Sequence, residues 1–231
     1  MKKFYQAKNF RGLKLIEYKK TLSLNAIQKE ILVGTLLGDA TISKNKTVAF
    51  NVKFEQKLAS EEYINHLYEI FEPYVGTPPK VRTITGGGAK DRKSIWFRTY
   101  RHIDFKFYYD FFYRKDNYRK DNATDFRKKR VPKLIHKFLT PRALAYWFMD
   151  DGSYSYQKSK NRKQKVYYLN TQSFCYEDIK ILKKALKFNF NFDTNIYKDR
   201  PYYLFYIQPQ SQEDFRNLIK PFLLEIFSSK L

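Results

Sequence analysis

An α+β fold made of two versions of one α-β-β-α-β-β-α unit is what this sequence of 231 residues predicts. Three observations predict it. Two apolar segments, "EILVGTLLGDA" (residues 30–40) and "LAYWFMDDG" (residues 144–152), each run into an aspartate, Asp39 or Asp151. These aspartates stand 112 positions apart, close to half the chain. The residues beyond each aspartate show the same order: strand-like stretches, an amphipathic helix, more strands and a closing helix.

Composition bounds the reading. Hydrophobic residues make up 43% of the chain, enough for a core in each half. No run approaches the ~18 consecutive apolar residues of a membrane span, so no membrane partner is expected. Lys plus Arg number 45 against 23 Asp plus Glu, a formal charge of +22 spread along the whole length. That is the footprint of a folded surface meeting a polyanion, nucleic acid rather than membrane, because no basic amphipathic helix stands apart. Cys175 is the sole cysteine, which excludes an intrachain disulfide and a CxxC metal knuckle. His66, His102 and His136 lack zinc-ligand spacing, so any metal must be held by oxygen. "MKKFYQAKNFRGLKL" shows neither a signal-peptide nor a transit-peptide pattern. The abundance of Lys, Phe, Tyr and Asn suggests coding in an AT-rich genome such as an organelle's.

Asn25 and Gln28 have the N-cap and N3 spacing of a capping box, which starts the first apolar helix. Residues 31–38 carry no charge, and a helix apolar on every side is buried on every side. Gly34 and Gly38, four apart on one face, would let another backbone come very close. "DATISK" and "KTVAFNVKFEQK" read as strands; in the second, Val48, Phe50, Val52 and Phe54 face one way and Thr47, Ala49, Asn51, Lys53 and Glu55 the other. "SEEYINHLYEIFEPYV" is a helix, "KVRTIT" and "KSIWFRT" a hairpin turning at Gly86-Gly87-Gly88, and "IDFKFYYDFFY" an aromatic helix.

The charged run "YRKDNYRKDNATDFRKKRVP" (residues 113–132) has no apolar period and reads as a linker. The expected divisions are thus an N-terminal extension (1–23), a first half (24–114), a basic linker (115–132) and a second half (133–231). Thr140 caps the second apolar helix, Pro141 occupies its first turn, and Gly152 stands just past its end, where a positive φ is common. "DGSYSYQ", "KQKVYYLNTQSF", "YEDIKILKKALKFNF", "TNIYKDRPYYLFYIQPQ", broken at Asp199-Arg200-Pro201, and "EDFRNLIKPFLLEIF" complete the second unit.

Each aspartate sits at the negative end of its helix, where a carboxylate is disfavoured by roughly 0.3–1 kcal/mol. If the two helices pack side by side in parallel, both acids and the exposed carbonyls converge, and the cluster needs a cation. Hard oxygen ligands describe a Mg²⁺ site, and carboxylates beside a polyanion describe metal-assisted phosphodiester chemistry. One such helix would be no more than an Asp-Gly turn; the second copy changes the reading. Arg82, Arg98, Lys165, Lys198 and Arg200 stand on strands comparable with that of Asn51 and Lys53. Singly each reads equally well as a solvated sheet face; together they suit an antiparallel ribbon reading base edges in a major groove.

"LVGTLLGDA" (residues 32–40) and "LAYWFMDDG" (residues 144–152) resemble the two copies of the LAGLIDADG motif. With the flanks "LTPRALAYWFMDDGSY", "LNTQSF" and "NLIKPFL", the chain from residue 24 onward resembles a monomeric, two-motif LAGLIDADG homing endonuclease. The resemblance implies two pseudo-symmetric αββαββα halves, motif helices packed at a central axis, and two antiparallel sheets forming a saddle on double-stranded DNA. It implies that Asp39 and Asp151, with the carbonyls of Gly38 and Asp150, bind Mg²⁺, with Mn²⁺ as a substitute and Ca²⁺ supporting binding without cleavage. A site-specific double-strand break with short 3′ overhangs would result. Lys129, in "KKRVP", and Lys230, after "IKPFLLEIFSS", match the family's basic positions, where a lysine would stabilise developing charge or poise the water; the plainer reading of each is a phosphate contact. Gln56 and Gln172 match a position that organises active-site water, although parity puts Gln56 on the Phe50 and Phe54 face and so demands a bulge or strand end. Ala40 and Tyr146 depart from the motif, replacing its last glycine and its interface glycine. The resemblance carries a second reading, a maturase whose partner is intron RNA, and a third, a DNA-binding regulator, against which the two aspartates argue. It also implies an organellar, intron-encoded origin.

Overall fold

The computed structural model describes residues 11–45, 49–84, 92–115, 127–159, 162–199 and 202–231. The chain folds as two compact units, one of Met1–Lys29 with Asp39–Tyr109, the other of Glu30–Gly38 with Asp110–Leu231. The first apolar helix, α2 (Ala26–Leu37), begins in the first unit and continues into the second.

In the first unit, α1 (Gly12–Lys20) buries none of its residues and is tied down by polar contacts instead. Tyr18 Oη donates to the Pro73 carbonyl at 2.9 Å, and His102 Nε2 lies 2.8 Å from the Lys19 carbonyl. The capping box at the start of α2 is reciprocal. Gln28 N donates to Asn25 Oδ1 at 2.8 Å and Asn25 N to Gln28 Oε1 at 3.0 Å, satisfying two donors that a helix start leaves unpaired. A four-stranded antiparallel sheet comes next, β1 (Thr41–Lys44), β2 (Phe50–Lys57), β3 (Lys80–Ile84) and β4 (Arg92–Arg98), in the order β1-β2-β4-β3. Phe50, Val52 and Phe54 face inward, as alternation predicts, and Phe54 packs on Phe97 and Phe71 with ring centroids 4.9 and 5.0 Å away. Phe71 belongs to α3 (Glu61–Phe71), and α4 (Phe105–Phe112) closes this core with Phe105 and Tyr108. Tyr74 donates its hydroxyl to Asp104; burial and that bond push the phenol far above its usual range. Val48, Thr47 and the Gly86-Gly87-Gly88 turn lie outside the described residues.

In the second unit, residues 30–38 of α2 lie along α5 (Pro141–Asp151). Thr140 caps α5, its Oγ1 accepting from Ala143 N at 3.2 Å, and Ala143 to Met149 are all buried. The contacts between these helices fall on positions 112 apart, the spacing of the two aspartates. Glu30 pairs with Arg142 at 2.8 Å. A Cβ on Gly34 would meet Tyr146 Cβ at 2.9 Å and the Ala143 carbonyl carbon at 3.0 Å, and one on Gly38 would meet Asp150 Cγ at 2.8 Å. Equivalent residues touching at every fourth position mean that the helices run side by side in the same direction. Tyr146, which replaces the expected interface glycine, is accommodated because Gly34 opposite it has no side chain.

Trp147 and Phe148 carry α5 onto the second sheet and onto α7 (Pro209–Ile219), with ring centroids 6.5 Å from Phe205 and 5.3 Å from Phe215. That sheet has β7 (Gly152–Ser159), β8 (Arg162–Asn170), β9 (Thr194–Asp199) and β10 (Tyr202–Ile207) in the order β7-β8-β10-β9, and α6 (Tyr176–Phe190) crosses between its hairpins. Two expectations are corrected. Gly152 has φ −77°, not a positive value; glycine is required there because a Cβ would run into the Phe148 ring, 2.5 Å from Cε2. The charged linker is not wholly irregular, since Arg127–Lys129 (β6) pairs antiparallel with Tyr113–Lys115 (β5). Among the described residues, no helix is long and apolar enough to cross a membrane.

Candidate active site at the two motif ends

Asp39 and Asp151 each stand where an apolar helix ends, Asp39 exposed and Asp151 half-buried. In the first unit, Gln56 Nε2 donates to Asp39 Oδ2 at 2.6 Å. Gln56 keeps the parity of Phe50 and Phe54 but stands one residue before the end of β2, where it is only half-buried and its amide reaches Asp39. In the second unit, the preceding carbonyl, Gly38 O, accepts from Lys129 Nζ at 2.6 Å across 91 positions of sequence.

The other end repeats the theme with different partners. Lys230 Nζ donates to the Gly152 carbonyl at 2.8 Å and to Met149 O at 3.0 Å, with Phe148 O at 3.4 Å. Its ammonium also lies 5.0 Å from the Phe227 ring centroid and 5.6 Å from that of Phe148. Lys230 closes a 3₁₀ segment, Glu225–Lys230, beyond α7. Each helix end that looked adverse for an aspartate therefore receives a lysine, whose charge suits the free carbonyls and negative dipole there.

Gln172, expected to match Gln56, is exposed in the turn after β8. The amide that reaches the second end is Asn170's, whose Nδ2 donates to the Asp151 carbonyl at 2.7 Å and lies 3.3 Å from Ser153 Oγ. Sequence reasoning missed Asn170, although "DGSYSYQ" and "YYLNT" pair antiparallel and their register places the two opposite each other. Asp150 turns its side chain toward Gly38.

The available donors are carboxylate and carbonyl oxygens. Among the described residues no group of three or more His, Cys, Asp or Glu forms a ready metal cage. Such a set fits Mg²⁺, which keeps several waters and uses one or two carboxylates beside phosphate oxygens; it does not fit Zn²⁺.

The outward face of the first sheet is basic. Lys53 stands opposite Arg98, and Arg82 opposite Ser94, so that these share a face with Lys80 and Arg92. Glu55 sits among them, accepting from Lys53, from Ser94 Oγ at 2.7 Å and from Arg82 Nε at 2.6 Å. Burial would raise the Glu55 pKa, but those hydrogen bonds and the Lys53 charge outweigh it and hold the carboxyl below its usual range. Lys53 and Arg98 also flank the Trp96 ring, each 5.7 Å from its centroid. Asn51 is corrected: it is 3% exposed, and its amide oxygen accepts from Ser43 within the sheet.

Lys165 and Lys198 are corrected too. Strand parity puts Lys165 on the side of Tyr167 and Leu169, and Lys198 on that of Tyr203 and Phe205, which faces the helices. Lys165 reaches the Ser229 carbonyl at 2.8 Å and lies 4.3 Å above the Tyr154 ring. The opposite face carries Tyr168, Tyr197 and Asn170 instead. Arg200 lies outside the described residues.

Three comparisons with known proteins agree with this geometry. The model of the LAGLIDADG DNA endonuclease family matches residues 29–215. A probable intron-encoded endonuclease of Wickerhamomyces canadensis is 34% identical over 100% of this chain and 97% of its own length. The DNA endonuclease I-ChuI of Chlamydomonas applanata is 31% identical, covering 91% and 96%. The solved structure of the homing endonuclease I-WcaI bound to its DNA recognition sequence superposes with a TM-score of 0.81 at 31% identity, over 95% of this chain and 92% of that one. With two aspartate-ended helices in register, two β1-β2-β4-β3-type sheets and matches across nearly its full length, this chain belongs to the LAGLIDADG DNA endonuclease family.

Proposed function

We propose that this protein is a monomeric, site-specific homing endonuclease that hydrolyses both strands of a long, asymmetric double-stranded DNA target, leaving short 3′ overhangs, with Mg²⁺ as its metal. The observation that carries the reading is that a lysine from far along the chain reaches a backbone carbonyl next in sequence to each motif aspartate, Lys129 at Gly38 O and Lys230 at Gly152 O. A buried structural helix needs neither. DNA as the partner is supported by the basic face of the first sheet and by the I-WcaI complex. An organellar, intron-encoded origin is supported by the composition and by the intron-encoded relative.

The carboxylates of Asp39 and Asp151, with the carbonyls of Gly38 and Asp150, would hold the metal, Mn²⁺ substituting and Ca²⁺ supporting binding alone. When bound, the metal supplies a Lewis acid that polarises phosphoryl oxygens and makes water nucleophilic at neutral pH. The chain's own groups do the rest. Gln56 orients the Asp39 carboxylate, and Asn170 fixes the backbone at Asp151. The ammonium groups of Lys129 and Lys230 supply positive charge where a phosphorane gains negative charge, which is worth most in a site built in advance. Lys53, Arg82 and Arg98 hold phosphates and so fix register on the duplex.

Asp39→Asn and Asp151→Asn test this directly. Each variant keeps its shape, so duplex binding in Ca²⁺ stays close to wild type while linearisation of a target plasmid in Mg²⁺ is lost. If both variants still linearise the plasmid, the two aspartates are not catalytic.

A further inference from the structure

Arg130 comes directly after Lys129, and its side chain goes a different way. Its Nε donates to Asp178 Oδ2 at 2.7 Å and its Nη2 to Cys175 Sγ at 3.0 Å. Its backbone N–H donates to the Phe112 carbonyl at 2.7 Å. Asp178 is 3% exposed in the first turn of α6, and Cys175 is the N-cap of that helix, where it makes no side-chain cap bond. The guanidinium is therefore locked onto the start of a fifteen-residue helix that packs on the second sheet.

A buried ion pair adds little net stability, because desolvation offsets most of the attraction. What it supplies is a fixed place for the chain. β6 is three residues long and pairs with the equally short β5, and its last residue, Lys129, delivers its ammonium to Gly38 O. So short a ladder would slip easily, and a slip of one residue turns each side chain to the other face. The bonds of Arg130 to Phe112, Asp178 and Cys175 prevent that slip at the adjacent residue. Lys230 is held elsewhere, by the carbonyls of Met149 in α5 and Gly152 at the start of β7 and by the Phe148 and Phe227 rings.

We infer that Arg130 is a positioning residue: clamped by Asp178 and Cys175, it sets the register of β6 and thereby places Lys129 at the first motif end alone. The inference rests on the endonuclease reading. Its consequence is a separation of the two strand cuts, since loosening the clamp disturbs one motif end and leaves the other intact.

The test tracks both strands of a target duplex, each end-labelled, cut in Mg²⁺ by the full-length protein. In Asp178→Asn and Arg130→Met, cutting of one strand slows by about 10- to 100-fold, the effect of a small misplacement at a reacting centre. The other strand is cut at close to the wild-type rate, so nicked plasmid accumulates. Lys129→Met slows the same strand, and Lys230→Met the opposite one. Equal slowing of both strands, or no slowing, in a variant that still melts cooperatively and binds the duplex in Ca²⁺ overturns the inference; if Arg130→Met does not fold, Asp178→Asn decides. Wild-type protein that cuts neither strand overturns the endonuclease reading, and this one with it.

Discussion

At the scale of single residues, the helix pair is specified by complementary, unequal partners at equivalent positions: Glu30 with Arg142, Gly34 with Tyr146, Gly38 with Asp150. A Cβ on Gly34 would press on both Ala143 and Tyr146, and neither the backbone nor a Cβ has room to move aside. Gly34→Ala is expected to cost about 1–3 kcal/mol, the usual toll of overpacking; a denaturation midpoint equal to wild type would show that the helices are not this close. Some of this was legible, because Gly34, Gly38, Asp39 and Asp151 stand in short local patterns. The pairing of Tyr146 with Gly34 was not, since only the fold shows that a missing glycine on one helix is compensated by a glycine on the other. Asn170 was missed for a similar reason: an amide bonding to a backbone carbonyl has no signature apart from register.

At the scale of elements, alternation was informative only where the two faces differ chemically. In β2, Phe50, Val52 and Phe54 against Lys53 and Glu55 declare the inward side, and the structure agrees. In β8, tyrosines occupy both faces, Tyr167 beside Tyr168, so parity could not be read there, and the structure places Lys165 and Lys198 on the side that faces the helices. The basic face of the first sheet has its own test. Glu55 has a lowered pKa in the folded protein, so its contribution is complete above the unfolded carboxylate value, about 4.3, and is lost as pH falls through the lowered folded value. The stability difference between wild type and Glu55→Gln is accordingly widest at neutral pH and closes in acid; a gap that stays constant into strong acid would remove Glu55 from the network.

At the scale of the molecule, the repeat was legible because the 112-residue spacing of the aspartates is also the spacing of the contacts between their helices. The lysines were not legible from spacing or charge; 91 residues separate Lys129 from Gly38 in a chain with 45 basic residues, and only a family resemblance singled it out. Nor do the strand residues name a target, because part of any specificity lies in the deformability of the DNA. The central claim, metal-dependent cleavage of one long DNA site by the two motif ends, is met most directly by selecting cleaved duplexes from a randomised library. One asymmetric site is expected to be recovered, cut in Mg²⁺ and bound but uncut in Ca²⁺, and neither Asp39→Asn nor Asp151→Asn should cut it. A library from which no cleaved sequence is enriched, or a recovered site that both variants cut as fast as wild type, would contradict it.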